Sequence, residues 1–386
     1  MRNEITVVQI LIILGTASCS RPASSVINLG KVSSSPSADQ KGINTPTDAP
    51  KDIDVQTPAP FPPRVVPTTT SPAVRTPEEV PVTVISLSGP LSSPDAEISG
   101  MAWFGDSLIL LPQYPERFDS SGGSALFMLS KSDILDYLDS PNPNPLQPIP
   151  VSLYTSGVED SLPGYEGFEA IAVDGDHIYL TAETKPKGMM SYLISGQIAS
   201  DSGQVRLDAS HLTPISPQTE LSNYSDEALL VFGSRLLSIY EINGTAFNPH
   251  PIAHLFDFSL QPQDNLAFPN VEFRITDATP PDDFGRFWAI DYFFPGESKL
   301  ASPNDPLAMQ YGVGQSHAHS KTVERLVEFQ FSEAGIVFAD TPPIQLRLRD
   351  DGQSRNWEAI ARLEGRGFLL ATDKYPETIL GFVPSP

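Results

Sequence analysis

Five stretches of this chain repeat one pattern, and four of them begin with a carboxylate. They read SGMAWFGDSLILLPQ from Ser99, EAIAVDGDHIYLTAE from Glu169, EALLVFGSRLLSIYE from Glu227, EFRITDATPPDDFGRFWAID from Glu272 and EAIARLEGRGFLLATD from Glu358. In each, a leading Ser or Glu opens an apolar run, a turn follows, and a second apolar run ends on a polar or acidic residue. If the repeats stand around an axis, Ser99, Glu169, Glu227, Glu272 and Glu358 form one ring. Four converging carboxylates repel one another unless protons or a cation compensate. Hard oxygen donors in a flexible ring suit Ca²⁺, which makes these five the expected metal ligands. The competing reading is that the acids simply start strands at a solvated rim. No nucleophile or general base stands out, so catalytic residues are unassigned at this level.

The far ends of the second runs form another set. In a hairpin, the start of the first strand and the end of the second share a face, so Gln113, Glu183, Glu241, Asp291 and Asp373 are expected beside the ring. Cations follow in the adjoining loops: Arg117, Lys185, Lys187 and Lys374. A metal-bearing acidic ring overhung by cations could receive a small phosphate- or carboxylate-bearing substrate. Exposed loop lysines that only aid solubility are the plainer reading.

The elements that position these residues are short strands. Runs rich in β-branched and aromatic residues alternate with Gly, Pro and Asp turns, and the only clear helical stretch is KSDILDYL. The turn glycine falls six residues after the leading residue in three units (Gly105, Gly175, Gly233) and seven after it in the fifth (Gly365). Further strand-like runs follow each hairpin: SALFMLS, MSYLISG, IAHLFDFSL, RLVEFQF and TILGFV. Four strands per unit, repeated, predict an all-β fold, a β-propeller whose radial closure removes most exposed sheet edges. The reading is five blades, or six if a degenerate blade hides in 261–270 or 295–323. The last unit lacks a fourth strand, and VTVISLSG (Val82–Gly89) is expected to supply it and close the ring. The alternative is a generic β-sandwich.

The repeated E-A-I/L-A … G-x-L-L-x-x-D unit resembles that of the esterase-like phytase domains and the related SdiA-regulated group. The likeness is confined to the repeat units between Ser99 and Asp373. The ring of one Ser and several Glu also looks like that of the calcium-dependent apyrases, five-bladed propellers with an axial Ca²⁺. That resemblance implies Ca²⁺ held by Ser99, Glu169, Glu227, Glu272 and Glu358. The nucleotide-contacting motifs of the apyrases are not found here, and EFRITD matches the unit imperfectly.

Composition narrows the partners. The 386 residues carry 47 acids against 24 Lys and Arg, a net charge of −23 with no basic stripe, which argues against nucleic acid and for cations. The start, with the apolar core ITVVQILIILG and then TASC, reads as an export signal over residues 1–19. Its end resembles a bacterial lipobox, which would make Cys19 the lipidated N-terminus and a lipid anchor the only membrane contact; a secreted protein is the alternative. Cys19 is the only cysteine, so no intramolecular disulfide can form. Twelve prolines between Ser20 and Pro81 amid Ser, Thr, Ala and Asp predict a disordered tether over 20–80, ahead of a propeller domain at 81–386.

Other motifs carry little. His250 and His254 would lie about 13 Å apart on a strand, too far to share a metal, and His317 and His319 about 7 Å apart with no third ligand nearby. Asn223 and Asn243 match glycosylation sequons that a bacterial lipoprotein would not use. Two functions remain open. One is an exported calcium-binding hydrolase of phosphate esters or anhydrides, expected to be a monomer. The other is a non-catalytic ligand- or partner-binding propeller with a structural axial Ca²⁺.

Overall fold

The repeated units fold as hairpins, and their turn glycines show why. In the computed structural model, which describes residues 76–118, 123–185, 188–332 and 334–385, Gly105, Gly175, Gly233, Gly285 and Gly365 all have φ between 58° and 73°. Such a turn strains any residue with a Cβ. Cys19, Lys187 and the segment 20–75 lie outside the described residues. We number the first two strands of each unit: β1 (Ile98–Phe104) and β2 (Ser107–Pro112); β3 (Tyr165–Asp174) and β4 (His177–Thr184); β5 (Asp226–Phe232) and β6 (Arg235–Tyr240); β7 (Arg274–Ala278) and β8 (Arg286–Phe293); β9 (Trp357–Leu363) and β10 (Gly367–Thr372).

Each hairpin extends outward into a sheet. Ser124–Ser130 and Ile149–Tyr154 follow β2, and Met190–Ile198 and Val205–Ile215 follow β4. These two four-stranded sets join edge to edge through a parallel pairing of Val205–Arg206 with Leu153–Tyr154. Ile252–Asp257 and Leu266–Ala267 follow β6. Val323–Ser332 follows β8 and pairs with both Gly335–Phe338 and Ile344–Leu346. Leu380–Pro384 follows β10, and Thr83–Ile85 adds to it as the fourth strand, in the place foreseen for 82–89. The segment 261–270 supplies the outer strand Leu266–Ala267, and 295–323 holds only short helical turns before Val323.

The innermost strands touch in cyclic order: β1 meets β3, then β5, β7, β9, and β1 again. Apolar clusters fill the spaces between successive sheets. Ile98, Met101 and Phe127 meet Ala359 and Leu369, closing the last sheet on the first; Ile109 and Leu126 meet Ile171 and Leu180; Ala170 and Leu193 meet Leu229 and Leu236; Leu230 and Leu255 meet Phe287 and Phe329; Trp288 and Leu326 meet Trp357 and Leu370. Cyclic contact with a core at every junction is propeller architecture. It rules out a two-sheet sandwich and sets the start of every inner strand at one end of the axis.

The boundary of the tether changes. Glu79 and Val80, assigned by composition to the tether, form a strand parallel to Gln345–Leu346. Glu79 Oε1 there accepts hydrogen bonds from the Ser316 amide and hydroxyl, the His317 amide and His317 Nδ1. The Glu324 amide lies 3.3 Å from His317 Nε2, and this histidine is a structural link in a tight turn. Asn243 is fully buried, which excludes its sequon from glycosylation.

Candidate functional site

A β-bulge sets the aim of each ring residue. In four units one residue is left over between consecutive cross-strand pairs: Ser99 in β1, Glu169 in β3, Glu227 in β5 and Glu358 in β9. A bulge bends the strand and redirects the extra side chain. All four side chains line one cavity of about 1060 Å³ at the start of the inner strands.

The fourth unit departs from the expected register. Its bulge lies between Ile275 and Ala278, where Thr276 and Asp277 both face Ile290. Thr276 is the counterpart of Ser99. The Ser99 hydroxyl donates to Phe168 O (2.7 Å), and the Thr276 hydroxyl donates to Trp357 O (2.6 Å), in each case the residue before the next unit's ring acid. Asp277 turns inward, accepting from the Ala278 and Ile360 amides. Glu272, expected in the ring, lies four residues earlier, off the cavity and against Gly244 and Thr245. The leading position of the repeat had been set by matching Glu to Glu, and the bulge pattern shows that it holds a hydroxyl in this unit.

The second set divides in the same way. Gln113, Glu183 and Asp373 line the cavity. Glu241 is fully buried just beneath it, 3.1 Å from Arg274 Nη2. Asp291 is one residue out of register: it pairs with Ile275, and its carboxylate is bound by Arg325, so Tyr292 takes the cavity position. Lys374 lines the cavity 3.4 Å from Glu97, and Arg117 pairs with the same Glu97 at 2.9 Å. Lys185 does not line the cavity but donates to Oδ1 of Asn223, which does.

Arg274 is the residue that sequence reasoning missed. It stands two positions before Thr276, where other units carry Glu97, Gly167, Ser225 and Asn356. Its guanidinium reaches into the ring: Nη2 is 3.4 Å from Glu227, 3.1 Å from Glu241 and 3.3 Å from Glu358, while Nη1 contacts Asn356 (3.3 Å) and Glu297 (3.8 Å). Only an unexpected arginine at the head of an otherwise apolar run could have signalled it. Gly167 allows a second close approach. With φ 127°, it sits where a Cβ would meet Gln113 Cγ at 2.5 Å, and Gln113 Nε2 in turn donates to Glu169 at 2.8 Å.

Burial dominates the electrostatics. Desolvation, then Glu183 and Glu227, hold the Glu169 carboxyl well above its ordinary value. Desolvation and Glu241 do the same for Glu227, against the pull of Arg274. Desolvation and Glu227 do so for Glu358. Burial lifts Glu183 to about 7 and Glu241 to about 8. Arg274 is pushed well above its usual value by Glu241, Glu227 and Glu358, which outweigh its own desolvation, so it is a permanent cation. Burial and mutual repulsion therefore favour the neutral form of these carboxyls, and one guanidinium supplies compensating charge. Among the described residues no three His, Cys, Asp or Glu side chains converge as a metal-ligand group.

Glu169 and Glu358 share the EAIA setting but not their partners. Glu169→Gln keeps an acceptor for Gln113 and removes repulsion, so it is expected to leave stability at pH 8 unchanged or raised. Glu358→Gln loses an ion pair to Arg274 and is expected to cost about 1–2 kcal/mol. Equal shifts of the two variants in urea melts would refute this asymmetry.

No protein-family model and no curated protein matches the sequence. Among solved structures the chain is similar to a glucose dehydrogenase (13% identity, TM-score 0.41, covering 79% of this chain and 99% of that one). It is also similar to the soluble aldose sugar dehydrogenase of Escherichia coli (11%, 0.38, 79% and 99%) and to an α-L-arabinofuranosidase of Clostridium thermocellum (8%, 0.40, 72% and 81%). At these values the likenesses carry no inference about activity.

Proposed function

We propose that the chain is a five-bladed propeller, exported and held to the cell envelope through Cys19, whose axial cavity binds a small organic cation. The observation that carries this reading is the make-up of the cavity wall. Glu97, Glu166, Glu169, Glu183, Glu227, Glu297, Glu358 and Asp373 line it, together with Tyr114, Tyr224, Tyr292, Phe294 and Tyr375, while among the described residues its only lining cations are Arg274 and Lys374, both already paired with carboxylates. Carboxylates beside aromatic faces recognise ammonium groups through charge and cation–π attraction. A free phosphate would find no unpaired lining cation among the described residues.

An axial Ca²⁺ fits the present arrangement poorly, because the Arg274 guanidinium already contacts two of the three ring carboxylates. A phosphate hydrolase working through that ion would first have to move the arginine, and we derive no step through it. The binding-protein reading needs no such rearrangement.

The test is a thermal and calorimetric titration with choline, putrescine, Ca²⁺ and inorganic phosphate, each alone. At least one organic cation is expected to raise Tm by mass action. Its binding should release protons, read as a dependence of the binding heat on the buffer's ionisation enthalpy, because ring carboxyls held protonated ionise against the ligand. Stabilisation by phosphate without metal, and by none of the cations, would overturn the reading.

A further inference from the structure

The other end of the axis carries a second cavity, of about 560 Å³. The later halves of the inner strands wall it with Met101, Ile171, Val173, Leu229, Val231 and Ile360, and the hairpin turns at Gly105, Pro280–Asp283 and Gly365 form its mouth. Small side chains at Ala102, Ala172, Ala278 and Ala361 leave the space open. Its inner wall is apolar, and its charged lining residues, Lys131, Asp282, Asp283, Arg362 and Glu364, are of both signs, unlike those of the mainly acidic cavity.

One polar group inside it is unsatisfied. Arg362, on β9, lines the cavity; its Nη2 has no hydrogen-bond partner among the described residues and is closed to solvent, so an anion reaches it only when the side chain turns toward the cavity. A buried guanidinium nitrogen without an acceptor costs free energy that a bound anion would recover. Its neighbours are engaged elsewhere. Asp282 Oδ1 accepts from the amides of Phe284 and Arg286 in its own turn, and Lys131 lies against Asp106 and over the Trp103 ring. The exposed acids Asp283 and Glu364 flank the mouth. They disfavour a multiply charged anion but leave room for a single carboxylate on a long apolar body.

We propose that this cavity binds an organic monocarboxylate with an apolar body, its carboxylate on Arg362 and its chain along Ile171, Leu229, Val231 and Ile360. The volume lies within the range of sites that enclose ligands of this size, about 300–1,000 Å³. Charge complementarity decides the class: the wall selects an apolar body, and Arg362 selects one negative charge.

Octanoate is the probe, with octanol and octylamine as controls, followed by calorimetry and by the fluorescence of Trp103 in the cavity lining. Octanoate is expected to bind at least tenfold more tightly than octanol, and octylamine not at all. Arg362→Met, which keeps the apolar stem, should abolish the preference for octanoate over octanol. If that variant does not fold, Val231→Phe, which narrows the cavity, should weaken both ligands together. No octanoate binding to the parent, equal binding of octanoate and octanol, or unchanged binding in Arg362→Met would each overturn the proposal.

Discussion

Arg274→Met is expected to destabilise the protein by ~3–5 kcal/mol at pH 8, the usual cost of removing one partner from a buried ion pair. The guanidinium faces Glu227, Glu241 and Glu358 at 3.1–3.4 Å, all in a desolvated setting. Methionine preserves much of the apolar stem, so the loss reports the charge and not a cavity. Without Arg274 the three acids can relieve their repulsion only by taking up protons. The loss should therefore shrink toward pH 5. Arg274→Lys should fall between the two, since one ammonium cannot hold the same spread of oxygens as a planar fork. Ca²⁺ should raise the Tm of Arg274→Met by more than that of the parent, because emptying the centre frees the carboxylates for a metal. Urea melts at pH 5 and pH 8, with and without Ca²⁺, measure all of this. A methionine variant as stable as the parent at pH 8 would show that the arginine does not compensate the ring.

This bears on what the sequence could reveal. The hairpins, the closing strand near Val82 and the gathering of Ser99, Glu169, Glu227 and Glu358 were legible because each rests on a local signal: period-two alternation, a turn glycine and a repeated leading residue. The fourth unit was misread because identity was used where register was needed. Glu272 matches Glu169 as a letter, but a one-residue bulge decides which side chain reaches the axis, and a bulge leaves no mark in composition. A separate slip, of one residue, put Asp291 where Tyr292 stands. Arg274 escaped notice for a different reason. A single cation at the head of one strand has no periodicity, and its importance comes only from five strands converging on it. Glu79 was lost to its neighbourhood: a proline-rich stretch hides a two-residue strand whose carboxylate gathers four hydrogen bonds from the far side of the sequence.

Stability should fall as pH rises from about 5 to 8, opposite to the usual behaviour of a protein whose acids are stabilised as anions. Burial raises Glu183 to about 7 and Glu241 to about 8, and holds Glu169, Glu227 and Glu358 well up as well. In the unfolded chain the same groups titrate near 4.3. Between these values the folded protein binds more protons than the unfolded one, so the slope of unfolding free energy with pH is negative. The contribution is complete below the unfolded value and is lost as pH passes through the folded one. Glu183 alone accounts for ~3 kcal/mol of this fall. His254, raised by its contact with Asp226 against the effect of burial, adds in the same direction. Asp208 and Asp351, lowered to about 2 by their own hydrogen bonds, act oppositely, but only below about pH 4, outside the window. Glu183→Gln should flatten the profile between pH 5 and 8 and raise stability at pH 8. Saturating organic cation should flatten it too, since the ligand takes over the charge that protons otherwise neutralise. Urea melts at four pH values decide the matter. A flat or rising profile in the parent would mean that the cavity acids are ionised and solvated, and that the ring does not store protons.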